Sequence, residues 1–547
     1  MVNLGIDFGS TYTTVSVFKD GRPETKPENS RSFSYPSLVA YDEEEKKYYY
    51  GSGARNRIGK PHIRIYRGFK MLLNQQMEEQ ELLERGYDSE HTPEEITYLF
   101  LKYVIENTLN KMNKNKVERL ILGAPECWFR SFRTADGRDA LRTICSRMSD
   151  KVEKVRIISE PTCAAAFCVW NHEREHGEFN GNILVIDYGG GTLDTAMVSV
   201  SHYGSKLRIK PEERSGAGEN HDGKLGEAGI AYQEAVLKKA VSHALSITTD
   251  KIKYTGSFSE ALKNLEDTLI FDCDIIDEEF EEHLLDPDGL NKPMTNVRYE
   301  GQEIPITYQM LKESYEEVIA PVLNRVLDET VINVRNTEEV YVALVGGFCN
   351  FYLVRKQIDD YFGMGHIGTH IRSMLHPEDE REKAISYGTA LFAEDIIDLS
   401  YVAEYGIGMF SIDEDGSEYI SYAIKRGQEY KPGEPNFVVD DSGQPVPVML
   451  VHKDRFILNF SANPNDYYRA RPINGFSDRL NQCRKVSVIP GFSFDENEQI
   501  SVHLYDYINT PEYQGPSAEP LDVIHLKTLK ESFENTVKQR RKTEDKT

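Results

Sequence analysis

Residues 4–18 read LGIDFGSTYTTVSVF, and residues 184–198 read LVIDYGGGTLDTAMV. A leucine, an isoleucine, an aspartate, an aromatic and a glycine recur in the same order, 180 positions apart (187 minus 7). Asp7 precedes the corner Gly9-Ser10-Thr11-Tyr12, and Asp187 precedes Gly189-Gly190-Gly191-Thr192. A turn without bulky side chains leaves its backbone N–H groups pointing outward, and a ring of such donors fits phosphate oxygens. A carboxylate beside each turn can hold Mg²⁺, usually through waters, because that ion sheds its hydration shell reluctantly. Two tips facing one another would grip a polyphosphate from both sides. One such corner is a common loop. Two at a domain-sized interval, with Asp, Gly and Thr in matching order, are far more specific.

These residues need particular elements to hold them. NLGID and NILVID are short apolar strands ending in aspartate, and TTVSVF and TAMVSV follow as second β-rich runs, so each copy predicts a β-hairpin. RIISEPTCAAAFCVW predicts a strand running into a helix, with Pro161 in the first turn, Glu160 just before it and CAAAF packed tightly against a neighbour. VYVALVGGFCNFYLVRKQIDDYF predicts a buried strand over Val340–Val345, a turn at Gly346–Gly347 and an amphipathic helix. The two glycines would let a flat ligand approach the backbone at the carboxyl end of a strand, where open α/β sheets bind ligands. GENHDGKL, from Gly218, has the spacing of a phosphate loop, but Leu225 stands where a Ser or Thr would hold magnesium and no buried strand precedes it. HEREH, His172 to His176, matches a zinc-protease spacing on a charged stretch without an evident third ligand, and reads as a solvated helix end.

At 547 residues the chain exceeds one hydrophobic core, so two to four domains are expected. Hydrophobic residues at 39% and charged residues at 28% are an ordinary soluble composition. A net charge of −25 argues against nonspecific binding to nucleic acid or to an anionic membrane. No run of some eighteen apolar residues is present to span a bilayer. No secretory leader precedes Asp7, and seven widely spaced cysteines read as reduced thiols, so a cytoplasmic location is expected.

GIDFGSTYTTV, IISEPTCAAAF, IDYGGGTLDTA and LVGGF, in this order and spacing, resemble the phosphate loops, hinge and adenosine segment of the seventy-kilodalton heat-shock (DnaK-like) chaperone family. TPEEITYLFLKYVIENTL, 92–109, is similar to a helix of that family's upper lobe. The resemblance covers residues 1 to about 395 and implies an α/β, two-lobed, actin-like ATPase fold of duplicated ribonuclease H-like subdomains, lobe I over about 1–182 and 365–395 and lobe II over about 183–364. It implies ATP/ADP and Mg²⁺ as ligands. Gly9, Ser10, Thr11, Tyr12, Gly189, Gly190, Gly191 and Thr192 would cradle phosphates, and Asp7 and Asp187 would position the hydrated metal. Lys70 matches the catalytic lysine, Glu160 the hinge glutamate, Thr192 the hydroxyl at the γ-phosphate and Asp194 an acid that orders the attacking water. SEALKNLEDTL places Glu260 and Lys263 at the ribose and base, with Gly346 and Gly347 completing the adenosine side. There the chain departs from the family: Asn264 replaces an arginine that stacks on the base, and Phe348-Cys349-Asn350 replaces Ser-Thr-Arg. Two guanidinium planes are lost, leaving Phe348 or Phe351 as replacement stacking surfaces. Pro125 and Arg133 have the spacing of the family's proline–arginine switch between cleft and β domain.

From residue 401, YGIGMFSI, YISYAIKRG, VPVMLVH, RFILNFSA, KVSVIPGFSF and QISVHLYDYI are short alternating strands separated by turn sequences. They predict an antiparallel β-sandwich over 401–520, similar to the family's peptide-binding domain. EDIIDLS, 394–400, reads either as an interdomain linker at 396–400 or as the end of the preceding helix. Leu526, Leu529, Phe533 and Val537 share one helical face, so residues 521–547 predict a short C-terminal helix and polar tail, too little for the family's multi-helix lid. The expected function is an ATP-hydrolysing, chaperone-like protein whose nucleotide state controls polypeptide binding by the β domain. A small-molecule kinase, an actin-like filament protein and a nonhydrolysing nucleotide-gated scaffold use the same clamp and stand as alternatives.

Overall fold

The computed structural model describes residues 1–30, 32–73, 79–129, 135–204, 206–217, 228–271, 273–286, 288–332, 339–363, 370–373, 378–403, 405–412, 418–449, 456–459, 467–470, 487–526 and 533–535. They group into two units, Met1–Trp128 with Ala140–Leu399, and Phe129–Asp139 with Ser400–Thr547.

In the first unit, the sequence repeat is a repeated sheet. One sheet runs Arg22–Thr25, Tyr12–Lys19, Val2–Phe8, Val117–Ala124 and Val152–Ser159, with Tyr35–Pro36 added beside Tyr12–Lys19. The other runs Lys206–Ala217, Leu193–Tyr203, Gly181–Tyr188, Glu339–Val345 and His370–Ser373, with Asp398–Leu399 beside Lys206–Ala217. Each opens as an antiparallel meander and continues in two parallel strands. The registers correspond as well. Asp7 lies opposite Thr14 and beside Gly123, and Asp187 lies opposite Asp194 and beside Val345. Both aspartates therefore stand at the carboxyl end of the first strand of their half, the edge at which open α/β sheets bind ligands.

The strand cores are fully apolar: Leu4, Ile6, Leu184 and Ile186 have no solvent exposure. Burial of such side chains contributes roughly 1.5–3 kcal/mol each, which fixes the register and with it the aspartates. The helices Glu160–His176 and Ala384–Ala393 pack among the strands through small residues, with Ala164, Ala165 and Ala166 fully buried. A Cβ at Gly388 would stand 1.8 Å from the Cys163 carbonyl oxygen, so only glycine permits that approach. The predicted helix over 92–109 is Pro93–Lys111, started by Thr92, whose hydroxyl accepts the Glu95 N–H at 3.2 Å.

In the second unit, one antiparallel sheet runs Glu418–Ile424, Gly406–Ile412, Phe456–Asn459, Tyr467–Ala470 and Phe533–Asn535. The other is built on Ser487–Phe494 and Ile500–Asn509, edged by Asn436–Phe437, Val448–Met449, Gln514–Pro516 and Asp522–His525. Ile407 and Met409 from one sheet share a core with Val488, Phe492, Val502 and Leu504 from the other, as in a sandwich. The Arg138 guanidinium, over the Phe129 ring, makes a buried ion pair with Glu498 at 2.8 Å in this unit.

One expectation changes here, and of the two readings open for 394–400 one falls. The C-terminal segment does not continue as the expected helix: Phe533–Asn535 is a strand, pairing antiparallel with Tyr467–Ala470, while Leu529 and Val537 lie outside the described residues. The edge strand offers a row of unpaired backbone groups, and their pairing outweighs a helical period that spans barely three turns. Nor is 394–400 the end of a helix. The helix stops at Ala393, and Asp398–Leu399 pairs in parallel with Arg208–Ile209. Among the described residues, Cys127, Cys145, Cys163, Cys168 and Cys349 are buried and not joined in disulfides, and no helix is long and apolar enough to cross a membrane. His172 and His176 close the helix Glu160–His176 with their rings stacked 4.5 Å apart, and the stretch from Gly218 to Leu225 is outside the described residues.

Candidate functional site

The two hairpin tips meet. A Cβ at Gly190 would lie 2.2 Å from Thr11 Oγ1, and one at Gly191 would lie 2.2 Å from Ser10 Oγ. The hydroxyls of the first corner thus rest on the bare backbone of the second. Each corner is braced from behind. Ser37 donates its hydroxyl to the Gly9 carbonyl at 2.7 Å and its N–H to the Thr11 carbonyl at 2.8 Å. The Gly189 N–H closes onto the Thr192 carbonyl at 3.0 Å, and the N–H groups of Gly229 and Ile230 donate to the carbonyls of Gly189 and Gly190 at 3.3 and 2.8 Å. Those carbonyls are thereby turned toward the start of the helix Gly229–Leu245.

Below the tips lies a dense charge cluster. Lys70 is 2% exposed and its ammonium donates to Glu160 Oε1 at 2.5 Å. Glu160, Asp187 and Asp194 are at most 4% exposed. With Asp7, these make four carboxylates around one lysine. Burial, then Glu160, pushes the Asp7 carboxyl up to about 8, with Lys70 opposing. Burial and Glu160 likewise push Asp194 up to about 8, although Thr192 donates to it. Asp187 is held well above the usual carboxylate range by burial and by Glu160, Asp194 and Asp7. Burial alone would lower the Lys70 ammonium, but Glu160 and the aspartates outweigh it and its pKa rises.

This charge excess has the character of a cation site. Asp194 Oδ2 is buried with no hydrogen-bond partner. Among the described residues no group of three His, Cys, Asp or Glu stands close enough to ligate an ion directly. Separated, inward-facing carboxylates of this kind suit a hydrated divalent ion, which keeps several waters and takes one or two carboxylates. Gly346, at φ +86°, is part of the same construction: a Cβ there would stand 2.5 Å from Asp187 Oδ1.

The excess also sets a pH dependence. A group whose folded pKa is raised contributes stability that is complete below its ordinary 3.8 and is lost as pH rises through about 8. The nucleotide-free protein should therefore melt at progressively lower temperature between those limits. Asp194→Asn should flatten that slope and raise the melting temperature at pH 8. A melting scan of both proteins from pH 5 to pH 8.5 checks this, and parallel slopes would contradict it.

The expected site residues fall into two groups. Asp7, Lys70, Glu160, Asp187, Thr192 and Asp194 converge with Gly9–Tyr12 and Gly189–Gly191, and Gly346 abuts Asp187. Gly347 is exposed at the start of the short helix Gly347–Asn350. Glu260 and Lys263 stand on the helix Gly256–Phe271, with the exposed Glu260 carboxyl over Gly59. Of the two aromatic candidates, Phe351 is packed into the core at 9% exposure, whereas Phe348 keeps part of its surface accessible.

Several participants carry no local signal. Ser37, through its hydroxyl and its N–H, and Gly229, through its N–H, bond the carbonyls of distant loops. Arg55 pairs with Asp267 and reaches Glu266 at 3.6 Å, with its guanidinium over the Tyr12 ring. The turn after Pro125 enters the cleft: the Cys127 N–H donates to Asp194 Oδ1 at 3.3 Å. Arg133 lies outside the described residues.

A profile of the Hsp70 protein family matches residues 3–228. The chain is similar to the heat shock 70 kDa protein of Neurospora crassa, 25% identical over 420 residues, which cover 71% of this chain and 57% of that protein. It is similar to the heat shock 70 kDa protein of Emericella nidulans at 23% identity, covering 71% and 58%, and to the heat shock 70 kDa protein 2 of Paracoccidioides lutzii at 23%, covering 71% and 57%. The chain thus spans less than two thirds of the length of these relatives.

Proposed function

The chain belongs to the Hsp70 family, and from that premise we propose that it binds Mg-ATP between its two glycine corners, hydrolyses it slowly, and uses the nucleotide state to control polypeptide binding by its β-sandwich. The observation that carries this reading is the direct apposition of the two corners, Thr11 on Gly190 and Ser10 on Gly191, above a buried lysine and four carboxylates.

Transfer of a phosphoryl group to water requires positioning and charge neutralisation more than covalent chemistry. The corners Gly9–Tyr12 and Gly189–Thr192 hold the phosphates, the second through the donors that follow Gly189, whose own N–H closes the turn onto Thr192. Asp7 and Asp187 would hold hydrated Mg²⁺, which supplies neutralisation of charge on the phosphates. Lys70 faces the charge that develops on the transferred group. Glu160 anchors the lysine, and Asp194, with Thr192 donating to it, accepts a hydrogen bond from the attacking water and aligns it. The Cys127 N–H, bonded to the same Asp194, ties the Pro125 turn to the state of the cleft.

Coupling between nucleotide and polypeptide requires that ATP and ADP bind the protein's arrangements with different affinity, since equal affinity shifts nothing. A coupling of about 1–3 kcal/mol corresponds to a ~5- to 150-fold change in polypeptide affinity, and the polypeptide must change ATP affinity by the same factor. Fluorescence anisotropy of an unfolded peptide on the full chain, with Mg-ATP and with Mg-ADP, measures it. Equal affinities in both would remove the chaperone reading and favour a kinase or a scaffold, which a phosphate-acceptor screen separates.

A further inference from the structure

We propose that Phe348 is the platform on which the nucleobase of the bound nucleotide stacks, so that the base is held by its face. This rests on the nucleotide reading above and adds to it a recognition element peculiar to this chain. The strand Glu339–Val345 ends at Gly346, and the bare, exposed Gly347 starts a single turn that carries Phe348 out beside the second glycine corner. Proximity to that corner is direct. A Cβ at Gly229 would stand 3.4 Å from Phe348 Cγ, and the N–H of the same Gly229 donates to the Gly189 carbonyl. The ring therefore stands within reach of the part of a nucleotide that extends beyond phosphates held at that corner.

Three buried rings set the orientation of Phe348. Phe351 lies parallel to it, 6° between planes and 5.7 Å between centroids. Tyr188 meets it edge-on at 5.0 Å, and Tyr232 lies at 5.5 Å. Tyr188 and Tyr232 are fully buried, and the Tyr232 hydroxyl is fixed to the Leu311 carbonyl at 3.1 Å. A ring held this way loses little rotamer freedom when a second flat ring settles on it, and offset stacking on a pre-oriented aromatic is favourable for any base. The polar side chain on the same turn is already engaged. Asn350 donates from Nδ2 to Glu382 Oε1 at 3.1 Å, and Arg381 donates to Asn350 Oδ1 at 3.5 Å. Its amide is thus held by the protein, whereas Phe348 keeps part of its surface accessible beside the corner.

Isothermal titration of the full chain with Mg-ATP and with Mg-tripolyphosphate, which has no base, isolates the base contribution. Phe348→Ala should weaken Mg-ATP about tenfold, within the range of one base–aromatic stack, and leave tripolyphosphate within twofold. Phe348→Trp should restore ATP binding. Equal weakening of both ligands would show a merely structural role for the ring and overturn the proposal, as would an Ala variant unchanged for both. If the unsubstituted chain binds tripolyphosphate and ATP equally well, the base makes no contact and the proposal fails while the phosphate clamp stands. If it binds neither, both the clamp and the platform fall.

Discussion

Thr192→Ala and Lys70→Ala should each lower ATP turnover by roughly ten- to a thousandfold while Mg-ATP binding changes little. Both groups interact with charge that develops during transfer, so their loss falls on the transition state more than on the bound substrate. The two variants differ in what they leave behind. Thr192 is buried at 6% exposure and its removal takes away one hydroxyl, with Asp194 losing a donor. Lys70 sits at 2% exposure against Glu160, and its removal strands a buried carboxylate. Breaking such a pair from one side costs about 3–5 kcal/mol of stability. The Lys70 variant should therefore melt lower as well as turn over more slowly, whereas the Thr192 variant should keep most of its stability. Single-turnover hydrolysis with labelled ATP, alongside thermal melts, separates the effects. Unsubstituted rates in both variants would refute the assigned cleft.

Asp187→Asn should raise the magnesium concentration needed for ATP to protect the protein by about ten- to a hundredfold, the usual cost of losing a group that orients a metal's shell. The substitution is nearly isosteric, which matters because the Asp187 side chain packs directly against the bare Gly346, where an added Cβ would stand 2.5 Å from its Oδ1. It removes one negative charge from a cluster in which Glu160, Asp194 and Asp7 already hold the Asp187 carboxyl above its ordinary range. The nucleotide-free variant should accordingly be at least as stable as the unsubstituted chain at pH 8, since the raised pKa marks an ionised form that costs stability as pH rises. Magnesium titrations of the ATP-induced melting shift provide the measurement. An unchanged magnesium midpoint would remove Asp187 from the metal's surroundings.

By itself the sequence determined the half of the architecture in which local pattern and global fold agree. In the strand runs around Asp7 and Asp187, Leu4 and Ile6, and Leu184 and Ile186, share a face and are wholly buried, so a slip of one residue would turn them out of the core, and the repeat of 180 positions carried the duplication of the sheets. Pro161 in a first turn, Gly346–Gly347 after a strand and the alternating runs after residue 401 likewise express constraints that act within a few residues. Tertiary structure alone decided where strands pair across long separations. Phe533–Asn535 joins a sheet edge some sixty residues away, and Asp398–Leu399 joins Arg208–Ile209, because an edge needs a partner and no local period encodes which segment supplies it. The same holds for the cleft. Residue identity suggested the acids and the lysine, but the Ser37 hydroxyl on the Gly9 carbonyl, the Gly229 N–H on the Gly189 carbonyl and the Cys127 N–H on Asp194 join positions far apart in the chain, and no local pattern pairs them. Phe351 and Phe348 are the same residue three positions apart, and only packing among Tyr188, Tyr232 and Phe280 consigned one ring to the core and left the other at the surface.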